Sequence, residues 1–182
     1  LGELEVRLRN SRGNLSFKLG RPKEALDHYS EGLKLAQQAE GETTSVELMI
    51  GMGLAAQQMG RPETVIEYLE AALEFSGGPK GASAGLIRRY RPTILVSLGD
   101  AWYQRGEFGR ALEYLGEAKK LDRGQTLTPD IRYSLYGTHV EIHLARGEIE
   151  KARRHLPTLA AIARAFPPAA PHFAELESRL KI

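Results

Sequence analysis

Four glycines, Gly20, Gly60, Gly106 and Gly147, recur at intervals of 40, 46 and 41 residues, and each separates two stretches patterned for helix. Around Gly106 the pattern is clearest. Before it, Leu95, Leu98, Gly99 and Trp102 fall at i, i+3, i+4 and i+7; after it, Ala111, Leu112, Leu115, Ala118 and Leu121 repeat one helical face. A glycine between two such faces suits the left-handed cap that ends a helix, and Pro22 and Pro62 suit the first turn of the next, where a missing N–H costs nothing. Gly99 and Ala111 are small enough for the two helices to lie close, with Trp102 filling the space beside them. The chain is therefore constrained to a series of helical hairpins.

The other three hairpins follow in order. The first pairs a helix over 3–19 with one over 22–39, where Ala25, Tyr29 and Leu33 carry the second face. Gly13 aligns with Gly99, but Arg9, Arg12 and Ser16 stand where Leu95, Leu98 and Trp102 stand. Leu4, Leu8, Leu15 and Leu19 form a separate stripe, which predicts either an end cap or a face for further chain. The second hairpin places Met49, Met52, Gly53 and Ala56 on one helix and Val65, Leu69, Ala72 and Leu73 on the other. The breaker-rich stretch over 76–85 reads as a link, and Pro92 marks a first turn or a kink. In the fourth, Thr128-Pro129-Asp130 opens a helix to 146, and Pro157 inside the second helix predicts a kink or a split. A last segment, 172–181, carries Phe173, Leu176 and Leu180 on one face and reads as a cap over the final hairpin.

Leu95-x2-Leu98-Gly99-x2-Trp102 followed by Ala111-x3-Leu115 resembles the tetratricopeptide repeat, whose pattern is W-x2-L-G-x2-Y, then A-x3-F, then P. The spacings exceed the roughly 34 residues of the shortest repeats. They resemble those of the long-repeat subclass, as in kinesin light chains and the sensor regions of bacterial transcription regulators. The resemblance implies an all-α, right-handed superhelical solenoid of about four hairpins (3–40, 43–76, 86–123 and 128–166) plus a C-terminal capping helix at 170–182, all within 1–182.

It also implies where binding occurs, in a concave groove lined by the first helix of each repeat. Carried over position by position, that groove comprises Arg7, Asn10, Asn14 and Lys18; Glu47, Ile50, Leu54 and Gln58; Val96, Asp100, Tyr103 and Gln104; and Glu141 and Ala145. One subfamily, the heat-shock co-chaperones, grips a peptide's terminal carboxylate with lysine and asparagine from the first repeat and cations from the third. Asn14 matches the asparagine, but Asn10, Thr93 and Ser97 occupy the cation positions, so that clamp is absent.

Composition narrows the function further. The absence of cysteine removes disulfides and thiolate chemistry. The most apolar stretch, 156–170, is broken by Pro157, Arg164, Pro167 and Pro168 and falls short of the roughly 20 residues of a membrane span. No leader pattern precedes Leu1, so the sequence reads as a cytoplasmic piece of a longer chain. Residues 1–76 hold 8 Lys/Arg against 12 Asp/Glu, while 77–182 hold 17 against 11. The surplus of basic residues is scattered, which disfavours nucleic acid as the partner. His139 and His143 share a helix face with zinc-ligand spacing, yet Glu141 is offset from the metalloprotease position, and alignment with Leu98 and Trp102 puts both imidazoles in the hairpin interface. No nucleophile motif appears. The sequence thus calls for a non-catalytic scaffold with a protein or peptide partner, no cofactor and no metal. A ligand-sensing or self-associating region of a bacterial regulator is the alternative.

Overall fold

The computed structural model describes residues 2–38, 42–75, 84–122 and 127–180. Every regular element among them is helical. The first hairpin is α1 (Gly2–Lys18) with α2 (Pro22–Gln38); the second is α3 (Glu42–Gln58) with α4 (Pro62–Phe75); the third is α5 (Ala84–Gln104) with α6 (Phe108–Leu121). In the fourth, α7 (Pro129–Ala145) faces two short helices, α8 (Ile149–Arg153) and α9 (Leu156–Ala165), and a 3-10 turn leads into α10 (Ala170–Leu180). Much of the 76–85 link lies outside the described residues.

The turns are four copies of one motif. Gly20, Gly60, Gly106 and Gly147 sit at φ of +70°, +64°, +76° and +69°. The N–H of each glycine bonds the carbonyl three residues back, and the next N–H bonds the carbonyl five residues back, from Arg21 to Ser16 at 2.9 Å and from Glu107 to Trp102 at 3.0 Å. This is the Schellman closure, which satisfies orphan carbonyls at the helix end and reverses the chain in two residues.

Close approach within three hairpins depends on one small position. A Cβ at Gly53 would stand 2.4 Å from the Leu69 side chain, one at Gly99 2.5 Å from Leu115, and one at Gly13 2.4 Å from the Tyr29 ring. The first hairpin therefore keeps the register of the others although its neighbouring positions are polar. In the fourth, Val140 replaces the glycine, and the second helix breaks around Arg154 and His155, with Pro157 in the first turn of α9. Pro157 has no N–H to donate into an uninterrupted helix. Pro92, by contrast, lies inside α5, which runs through it from Ala84.

Each first helix is buried against the hairpin before it. Leu48, Ile94 and Leu135 occupy equivalent positions and are fully buried, as are Ala55 and Ile142 at a second such position, where Ala101 is 2% exposed. Leu8 and Leu15 are their counterparts on α1, the first described helix, and they are 48% and 59% exposed. Leu4 and Leu19 extend the same open stripe. At the other end α10 covers the last hairpin with Leu176 and Leu180. The first helices also touch one another in sequence, α1 with α3, α3 with α5 and α5 with α7, forming the layer on which the groove residues lie.

Candidate functional site

Two cavities open among the first helices. The first, about 270 Å³, lies between α1 and α3 and is closed by Tyr90 of α5. Its floor depends on Tyr29, whose ring slots between Gly13 and Gly51; a Cβ at Gly51 would stand 2.8 Å from it. This places the Tyr29 hydroxyl to donate to Asn14 Oδ1 at 2.8 Å. Burial, with Tyr90 nearby, pushes the Tyr29 phenol up to about 12, so it remains a donor at any ordinary pH. Asn10 donates to Glu47 Oε2 at 3.1 Å across the α1–α3 gap, and Ile50 and Leu54 supply the apolar wall.

The second cavity, about 400 Å³, lies between α5, α7 and α10. Asp100 from α5 stands in it. Ser134 donates to Asp100 Oδ2 at 2.6 Å and Thr138 to Oδ1, the two hydroxyls sharing one face of α7 at i, i+4. Burial pushes the Asp100 carboxyl up to about 6, against the lowering effect of both hydroxyls. At the rim, Arg179 of α10 donates to Glu141 Oε1 at 2.8 Å, and His172 Nε2 lies 3.4 Å from the same oxygen. The His172 ring meets Tyr133 edge-on, with a hydrogen bond of 3.2 Å between Tyr133 OH and His172 Nδ1. Serine, histidine and aspartate thus share a cavity without forming a catalytic triad. The Ser134 hydroxyl donates directly to the Asp100 carboxylate, with no imidazole between them, so the Ser-His-Asp relay is not built here.

The sequence-derived groove is therefore partly assembled. Asn10, Asn14, Glu47, Ile50 and Leu54 converge on the first cavity, and Asp100, Tyr103, Gln104 and Glu141 on the second. Val96 belongs to neither, because it is 4% exposed in the central core, and Ile50 is 3% exposed and offers only an edge. Arg7, Lys18, Gln58 and Ala145 are exposed and line neither cavity. Ser134, Thr138, Tyr133, His172 and Arg179 were not legible as site residues. The two hydroxyls lie on the side of α7 turned towards α5, and His172 and Arg179 come from a helix that reads as a cap.

His139 and His143 lie in the hairpin interface as their alignment predicts, and His155 joins them. The His139 and His155 rings are 5.3 Å apart, and those of His143 and His155 stack at 6.0 Å. His139 Nδ1 lies 2.8 Å from the Leu135 carbonyl, which fixes the proton on that nitrogen, and His143 Nδ1 lies 2.7 Å from Glu148 Oε2. Among the described residues no three metal-ligating side chains are placed to hold an ion, and no helix is long and apolar enough to cross a membrane.

Comparison with known proteins gives a consistent identity for the repeats. Tetratricopeptide repeat family models match residues 5–76 and 136–156. No curated protein matches the sequence. Among solved structures, BtubC (BKLC) from P. vanneervenii superposes with a TM-score of 0.71 at 17% identity over 92% of this chain. Pseudomonas aeruginosa PilF superposes at 0.65, with 17% identity over 95%. This chain spans 66% of the length of each of those two. A kinesin light chain structure from Podosopora anserina, with nearly identical TPR-like repeats, superposes at 0.62 with 15% identity, covering 97% of this chain and 93% of its own. Schellman-closed hairpins in register, matched by both sequence and fold, show that this chain belongs to the tetratricopeptide repeat family.

Proposed function

We infer that this chain is a non-catalytic protein-interaction scaffold that holds an extended peptide segment along its first helices. One observation carries the reading: two cavities open on that one layer, and nine of the residues expected to line a groove converge on them. The first offers amides, which both donate and accept, beside an apolar wall; the second offers carboxylates, hydroxyls and tyrosines. An extended peptide fits such a surface because its backbone supplies both donors and acceptors while alternate side chains enter the pockets. The partner is a protein segment, met in the cytoplasm.

Peptides selected from a displayed random library against the chain test the reading. Leu54→Ala in the first cavity and Gln104→Ala in the second are expected to weaken a selected peptide by about tenfold or more, about 1.4 kcal/mol, with little change in melting temperature. Gln104 is exposed, and Leu54 is half-buried and packs only at the margin of the central core, so the fold survives both substitutions. Asn14 is unsuited to this test because it accepts the Tyr29 hydroxyl. Unchanged affinity in both variants would contradict groove binding.

The open leucine stripe on α1 favours a second reading, in which a second copy of the chain covers that face, as an oligomerising region of a regulator requires. Leu4, Leu8, Leu15 and Leu19 are 71%, 48%, 59% and 58% exposed. Sedimentation should then show a dimer at tens of micromolar that Leu8→Glu with Leu15→Glu converts to monomer. A monomeric wild type at the same concentration removes this reading.

A further inference from the structure

We propose that the cavity between α5, α7 and α10 takes a basic side chain, the ammonium of a lysine or the guanidinium of an arginine, with Asp100 as its counter-ion. The proposal rests on the groove reading and names the residue that a bound peptide would present at this point.

Two carboxylates in the same molecule, Asp122 buried and Asp100 half-buried, are treated differently. Asp122 is 7% exposed and has a resident cation, Arg132, at 3.0 Å, together with the Tyr136 hydroxyl at 3.1 Å and the Leu127 N–H. Asp100 has only the hydroxyls of Ser134 and Thr138, and no cation pairs with it among the described residues. A carboxylate withdrawn from water loses hydration that two neutral donors restore only in part, and a charged donor restores more. What distinguishes Asp100 is the space beside it. Asp122 sits under its arginine, whereas Asp100 faces a cavity of about 400 Å³.

The walls agree with a cation. Tyr103 and Tyr133 line the cavity, and tyrosine faces attract ammonium and guanidinium groups. Asp130 and Glu141 line it as well, against one guanidinium, Arg179, which is engaged by Glu141 at 2.8 Å. The protein thus already holds a guanidinium at the rim of this cavity while leaving Asp100 without a cation among the described residues. An acidic side chain or a terminal carboxylate entering here would meet Asp100, Asp130 and Glu141, with Arg179 at the rim already engaged by Glu141.

Backbone amide shifts of the whole chain, titrated with blocked amino acids, test the assignment. N-acetyl-lysine N-methylamide and N-acetyl-arginine N-methylamide are expected to move the amides of Asp100, Ser134 and Thr138 saturably, with affinity on the order of millimolar. N-acetyl-norleucine N-methylamide and N-acetyl-glutamate N-methylamide should leave them in place. Asp100→Asn, which keeps an acceptor for Ser134, should weaken the basic probes about tenfold. Glu141→Gln, which frees Arg179 to compete at the rim, should weaken them too and serves if the first variant does not fold. Equal shifts from norleucine, no saturation by the basic probes at about 50 mM, or full affinity in folded Asp100→Asn would overturn the proposal. The two readings separate cleanly. Saturation by lysine with no peptide selected from the library leaves the cation site and removes the groove reading. Selected peptides that bind through the Leu54 cavity while the basic probes fail do the reverse.

Discussion

Replacing Trp102 with alanine is expected to remove about 3–5 kcal/mol of folding stability, the range for truncating a large buried aromatic. Trp102 is 6% exposed and belongs to the core shared by the second, third and fourth hairpins. Its ring is held on both polar and charged sides. The indole N–H lies 3.3 Å from Glu70 Oε1 on α4, which also accepts the Tyr114 hydroxyl at 2.8 Å, and the Arg110 guanidinium stands 4.4 Å over the ring. Truncation would therefore leave a void, deprive Glu70 of one donor and expose the junction between α4 and α5. Urea unfolding of the two proteins measures the loss. A cost below about 1 kcal/mol would place Trp102 on the surface instead.

The second large effect is a pH dependence that originates at His155. Burial, followed by the nearby His139, Lys119 and His143, holds the His155 imidazole down to about 4; burial is also the main cause lowering His139. In the unfolded chain both return to the ordinary value of about 6.5. As pH falls from there towards 4, the unfolded state binds protons that the folded His155 refuses, so this contribution destabilises the fold on acidification and is absent above about pH 7. Asp100 acts in the opposite direction. Its folded value of about 6 lies above the unfolded one, so the fold gains stability as Asp100 takes up its proton below that pH. The clean observable is therefore a difference. Relative to His155→Gln, the wild type is expected to lose about 1–2 kcal/mol between pH 7 and pH 5, discounted because solvent reaches part of the ring. A difference that does not change with pH would mean that His155 titrates freely in the folded chain.

The framework was legible because it rests on local chemistry. A glycine that must take positive φ, a glycine that must admit the side chain opposite, and a proline that cannot donate all leave their mark wherever the helices settle. Gly106, Gly99 and Pro157 each behave as their positions in the sequence predict. The site was only half legible, because its other residues are defined by how helices lie against one another. Val96 has the groove's spacing but is buried in the core, and Ser134 and Thr138 gain meaning only when α7 presents them to Asp100. His155 is distant from His139 in sequence and meets it only where the second half of the hairpin folds back on α7. The helix expected only to cap the end also brings Arg179 and His172 to Glu141.

Hydrogen exchange with a library-selected peptide bound tests the central claim most directly. Binding along the groove predicts slowed exchange in α1, α3, α5 and α7, strongest near Leu54 and Asp100, with α2, α4 and α6 unchanged. Slowed exchange confined to those second helices, or to the leucine face of α1, would contradict it.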